Sequence, residues 1–177
     1  MPLLFAVDSI DSAHKMFTAM EVIGVRVEMP SNQPIVLLKE QDGARFLPIW
    51  VGAGEATAIA FALQGIQPPR PLTHDLMRDL IEGLDAVVTS VHLTELKDGV
   101  FYAVVNIRTS ASQNINISAR PSDAIALALR THSNILAAPE LLDLAGIEIS
   151  TGEGDANQEV ERFKEFLEQI NPEDFIA

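Results

Sequence analysis

The chain of 177 residues contains no cysteine. That absence excludes disulfides, thiolate zinc sites and a cysteine nucleophile. It suits a reducing compartment, and a cytoplasmic protein is expected. No apolar run approaches the length of a membrane span. The opening "MPLLFAVDSIDSAHK" lacks a basic n-region and a small-residue cleavage site, so no signal peptide is expected. Neither a glycine-rich phosphate loop nor a nucleophile elbow occurs. Trp50 and Tyr102 are the only tryptophan and tyrosine. Trp50 is expected in the core or at a dimer interface, with base stacking as the lesser alternative.

Positive charge is also scarce. Twelve Lys and Arg face 25 Asp and Glu, for a net charge of −13. Residues 151–177 hold eight acidic and two basic side chains, almost half of the excess. Such a field opposes a polyanion, so any nucleic-acid contact needs a local arginine cluster with the acidic tail turned away. What is plentiful is apolar surface, at 47% of residues. The length suits one domain with short extensions.

Three regions are expected: a leader over residues 1–19, a domain over 20–150, and an acidic linker with a helix over 151–177. Within the domain, Glu21–Glu28 reads as a strand. Ile35–Glu40 and Arg45–Val51 flank Asp42-Gly43 and read as a hairpin. Pro48 points to an edge or a bulge. Glu55–Gln64 is helical, with Gly65 as its stop, and apolar enough to be buried nearly all round. Ala86–Leu96 and Val100–Arg108 form a second hairpin around Asp98-Gly99. A short strand over Asn114–Ala119 leads to a second apolar helix over Pro121–Thr131. The strings "AIAFAL" at 58–63 and "AIALAL" at 124–129 agree at five of six positions. A strand–hairpin–buried-helix unit is therefore read as occurring twice. The expected class is α+β: mostly antiparallel hairpin sheets on two buried helices. In the tail, "QEVERFKEFLEQI" carries an apolar stripe through Val160, Phe163, Phe166, Leu167 and Ile170.

The chemistry-bearing residues concentrate in "PPRPLTHDLMRDLIEGL". Thr73 reads as a helix cap, with Asp75 in the first turn favoured by the helix dipole. Leu76, Leu80, Ile81 and Leu84 read as the buried stripe. His74, Asp75, Arg78 and Asp79 lie off it. Asp75 and Asp79, four apart, share a helix face. A carboxylate pair holds Mg²⁺ or Mn²⁺. Histidine serves as general acid or base. Arg70 and Arg78 suit phosphate oxygens. Together these are the parts of a metal-assisted phosphodiesterase, although the same residues also make an ordinary solvated face. "ARPSDAIALALR" repeats an Arg-Pro step, at Arg120-Pro121, before a helix that Ser122 would cap. Arg120 either pairs with Asp123 or points toward phosphate. Glu55 is either a first-turn carboxylate or an acidic ligand. His92 and His132 read as structural or exposed, and His14, in the leader, is uninformative.

"LPIWVGAGEATAIAFALQGIQPPRPLTHDLMRDLIEGL", "DGVFYAVV" and "ISARPSDAIALALR" closely resemble the bifunctional nuclease domain family. The resemblance runs from about Met20 to Gly146. It implies an α+β fold with a duplicated motif, a homodimer, and DNase and RNase activity, with nucleic acid as substrate. It supplies no settled catalytic set. On motif position and chemistry, His74, Asp75 and Asp79 are the expected catalytic residues. Arg70, Arg78 and Arg120 are expected on phosphate. Asp75, Asp79, Asp123 and Glu55 are expected around a divalent metal. The rival expectation is a non-catalytic dimeric module that binds an anionic ligand or a partner protein, or that regulates one.

Overall fold

The computed structural model describes residues 17–148. Most of the leader and the tail helix expected over 158–170 lie outside the described residues. Strands β1 (Thr18–Glu28), β2 (Gln33–Glu40) and β3 (Arg45–Trp50) come first, followed by helices α1 (Ala53–Leu63) and α2 (Thr73–Gly83). Next come β4 (Val87–Lys97), β5 (Val100–Arg108), β6 (Asn114–Ala119) and α3 (Pro121–Thr131). β7 (Asn134–Ala137), α4 (Pro139–Ala145) and β8 (Ile147–Glu148) complete the described chain.

The class is α+β, and its strands form one sheet rather than several. Their order is β6-β5-β4-β7-β1-β2-β3-β8. Two antiparallel three-stranded meanders flank β7, and a helix follows each meander directly. β7 runs antiparallel to β1 and parallel to β4, the one parallel pairing among the described strands. Pairing like that needs a crossover, and α3 provides it between β6 and β7.

Turn chemistry explains the hairpins. Asp98 and Gly99 both take positive φ, 51° and 76°. That conformation matches the right-handed twist of the flanking strands. The β2–β3 loop closes differently. Glu40 accepts from the Arg45 backbone N–H at 3.2 Å and from its guanidinium at 2.7 and 3.0 Å. Arg45 also reaches Asp143 on α4 at 2.7 Å. Pro48 falls where β3 has no outer neighbour, because β8 pairs only with Arg45 and Phe46. α1 ends at Gly65 with φ +65°, and Ile66 N–H reaches back to the Phe61 carbonyl at 2.9 Å.

A single core joins both halves. Val36, Leu38, Leu47 and Ile49 meet Val91, Leu93, Val105 and the α3 residues Ala124–Ala128. The two apolar helices do meet, as α1 packs against α3. Two expectations change. α1 buries Ala56, Ala58 and Ile59, while Gly54, Thr57 and Leu63 stay exposed. Its helix packing is mainly against α3. Of the stripe expected on α2, only Ile81 packs inward. Leu76, Leu80 and Leu84 are 50%, 57% and 75% exposed, whereas His74 is buried and Met77 and Ile81 pack on the core. Polar contacts made by His74 and Asp75 set the rotation of α2, and the leucines follow it outward.

That orientation makes a clear contrast. Ile81→Ala is expected to cost about 2 kcal/mol, as core truncations do. Leu80→Ala in dilute protein is expected to change stability by less than about 0.5 kcal/mol, as exposed positions do. Urea unfolding of the two variants checks both.

Candidate functional site

The starts of three helices converge. Glu55 is in the first turn of α1, His74 in the first turn of α2, and Asp123 in the first turn of α3. Arg120 is the residue that caps α3, in extended conformation before Pro121. Pro121 takes the first helical position, which suits a residue without an N–H. Ser122 is therefore inside the first turn and is not the cap. Likewise Leu72, not Thr73, caps α2. Its N–H is taken by the Asp75 carboxylate at 2.9 Å, so no threonine hydroxyl is needed there.

Arg120 ties two carboxylates together. It donates from Nε to Asp123 Oδ2 at 2.7 Å and from Nη2 to Asp123 Oδ1 at 3.1 Å. Its Nη1 lies 2.9 Å from Glu55 Oε1. Of the five guanidinium N–H groups, two remain for a ligand. The side chain is 65% exposed. His74 Nε2 lies 3.0 Å from Asp123 Oδ1. An ionised carboxylate only accepts, so Nε2 is the donor and a neutral His74 carries its lone pair on Nδ1. Nδ1 has no partner among the described residues, and no fully buried side-chain nitrogen or oxygen there lacks one. Nδ1 is therefore not sealed in the interior, and His74 lines a cavity of about 370 Å³ together with Glu55, Arg120, Asp123, Thr57 and Thr73. Burial pushes the Asp123 carboxyl up, but hydrogen bonds from Arg120 and His74 outweigh it, and the group stays below the usual range.

Asp75 points elsewhere. Its Oδ1 accepts from Arg130 Nε at 2.6 Å and its Oδ2 holds the α2 cap. Arg130 also donates to the carbonyls of Ala126 at 2.9 Å and Ala58 at 3.1 Å. The Asp75 and Arg130 side chains are 16% and 6% exposed. Burial raises the Asp75 carboxyl, while the Leu72 N–H and Arg130 lower it further, for a net depression. Asp79 Oδ1 is held by Arg78 at 2.7 Å. Both Asp75 oxygens and one Asp79 oxygen are thus engaged by protein partners. Among the described residues no group of three or more His, Asp or Glu could hold a metal ion. Arg78 lines a smaller recess of about 130 Å³ with Asp75, Arg130 and His132. Arg70 is exposed in the proline loop. The two Arg-Pro steps are thus not equivalent, since Arg120 abuts its helix and Arg70 stands ahead of the Leu72 cap. Arg130 was not expected to matter. Its one signal was a lone charge at the end of an apolar helix.

A sequence profile of the bifunctional nuclease domain matches residues 36–150. The chain therefore belongs to the bifunctional nuclease domain family. It is 46% identical over 162 residues to an uncharacterized protein of Mycobacterium tuberculosis, covering 88% of this chain and 96% of that protein. It is 29% identical over 98 residues to bifunctional nuclease 1 of Oryza sativa subsp. indica, and 27% over 100 residues to bifunctional nuclease 1 of Arabidopsis thaliana. Those matches cover 54% and 55% of this chain but only 30% and 31% of the plant proteins. No helix among the described residues is long and apolar enough to cross a membrane.

Removing one partner of a buried ion pair strands the other. Arg130→Met is expected to cost about 3 kcal/mol in urea unfolding. Asp75 and Asp123 both have native values below their unfolded ones, so the unfolded state binds more protons as acid is added. Their stabilisation is present above about pH 4 and is lost as pH falls through the native values. Asp75→Asn is expected to flatten that acid limb in unfolding measured between neutral and acid pH.

Proposed function

We propose that this chain is a nuclease that hydrolyses phosphodiester bonds, with the cavity at the three helix starts as its active site. The observation that carries the reading is the Asp123–His74 pair with Arg120 beside it. Family membership supports the reaction class, and the relatives named bifunctional nucleases support a nucleic acid as substrate, read here as both DNA and RNA. Arg120 uses its two remaining N–H groups on a phosphate oxygen. His74 Nδ1 accepts a proton from water as the water oxygen bonds to phosphorus. The bond from phosphorus to the leaving oxygen breaks, and that oxygen takes a proton from the imidazolium or from solvent. Asp123 fixes the ring and steadies its positive charge. Glu55 braces Arg120.

A divalent ion, Mg²⁺ or Mn²⁺, belongs to a competing version of this reading with Asp75, Asp79, Asp123 and Glu55 as ligands. The donor set does not fit it. Arg130 and Arg78 occupy the first pair, and the Arg120 guanidinium is already bonded to both members of the second. The rival is a non-catalytic dimeric module: the net charge of −13 and the two carboxylates on Arg120 weigh against a polyanionic substrate and leave docking of a partner protein as its stronger form. A homodimer and a cytoplasmic location are part of the proposal. The exposed leucines of α2 support the first and the absence of cysteine the second.

Cleavage of a labelled oligonucleotide by pure protein, with and without EDTA, separates these versions. His74→Ala and Asp123→Asn are expected to lower the rate by about 10²–10⁴, the range of general-base catalysis. Loss of activity in Asp79→Ala or in EDTA, with His74→Ala active, would return the site to the metal-bound carboxylates. No cleavage by wild-type protein would leave the binding module. Leu80→Lys is expected to shift the protein to monomer in sedimentation analysis, and an unchanged dimer would move that interface off α2.

A further inference from the structure

A second cavity, of about 290 Å³, adjoins the first and shares Glu55 and Arg120 with it. Its walls include Trp50, Val51, Val100 and Phe101, and Pro121 and Ser122 form the base of α3 beneath them. The volume is near the lower end of small-molecule sites, and apolar walls with a few convergent polar groups are what such sites present. Ser122 is 7% exposed, and no hydrogen bond among the described residues uses its hydroxyl. No fully buried side-chain oxygen or nitrogen among the described residues lacks a partner, so that hydroxyl retains some exposure, on a residue that lines the cavity.

We propose that this cavity holds the nucleobase next to the phosphate on Arg120, and that the substrate is therefore a single strand or a strand end. The inference rests on the nuclease reading of the neighbouring cavity. A bare phosphate or a metal ion gains nothing from apolar walls. A base has apolar faces and a polar rim, and it matches this combination. The Ser122 hydroxyl both donates and accepts, and the Glu55 carboxylate accepts from exocyclic amines. A base inside a duplex is stacked and paired, and it enters a recess only when extruded. The acidic field of the chain opposes a long duplex and tolerates a short engaged segment.

Trp50, the only tryptophan, supplies a built-in probe. Intact protein is titrated with AMP, ribose 5-phosphate and inorganic phosphate while Trp50 fluorescence is followed, with equilibrium dialysis for the variants. AMP is expected to give a saturable change that the two base-free anions do not give at the same concentration. Ser122→Ala is expected to weaken AMP about fivefold, one neutral hydrogen bond. Val100→Phe, at an exposed strand position lining the cavity, is expected to weaken it by about tenfold with an unchanged circular dichroism spectrum. Single-stranded oligonucleotide is expected to be cleaved about tenfold faster than the same sequence in duplex. AMP binding no tighter than ribose 5-phosphate, or undiminished in Val100→Phe, overturns the subsite even if cleavage persists. AMP binding that behaves as described in a protein that cleaves nothing keeps the base site and removes only the nuclease reading.

Discussion

The buried guanidinium of Arg130 is the contact on which the arrangement of helices depends. It takes acceptors from three helices: Asp75 on α2, the Ala58 carbonyl on α1 and the Ala126 carbonyl on its own α3. A buried cation is stable only when its donors are met, so the three elements are held in one relation. Asp75 cannot rotate away without stranding Arg130. His74, one residue earlier, is thereby set against Asp123. The orientation of α2 is fixed by charge and hydrogen bonding more than by apolar burial.

Each of three helices carries a carboxylate in its first turn: Glu55, Asp75 and Asp123. Locally they are alike, since each sits where the helix dipole favours negative charge by roughly 0.3–1 kcal/mol. Tertiary partners make them differ. Asp75 is consumed by a cap and a buried arginine. Glu55 steadies the exposed arginine. Asp123 holds that arginine and the histidine together. The same device thus serves packing once and the cavity twice.

Much of the fold was legible because its signals are local. The Asp98-Gly99 turn fixes its hairpin, and Arg-Pro ahead of an apolar run marks α3 over residues 121–131. Long-range relations were not legible. β7 has only four residues, too few to show a period, yet it turns two meanders into one sheet. Periodicity found the leucine stripe of α2 but carries no information on whether a stripe meets a partner. Spacing put Asp75 and Asp79 on a common face, and only the position of Arg130, 55 residues along, shows that Asp75 is engaged. Glu55, His74, Arg120 and Asp123 were all among the expected residues, and they do come together. The sequence suggests Ser122 as a cap, but Arg120 takes that place and Pro121 the first helical position, which leaves the Ser122 hydroxyl unused.

The seam at β7 also bears on how the molecule is made. Each meander closes through neighbouring residues, so each half forms from local contacts. The join between Thr18 and Ala137 brings together segments about 120 residues apart, a slow step because loop closure precedes any reward. During synthesis the edge of β1 emerges first and waits for β7, the strand that covers it, until most of the domain has left the ribosome. That interval exposes a strand edge open to pairing with other chains. The vulnerability of this fold is thus one of timing, concentrated in a single short strand near the end of the domain.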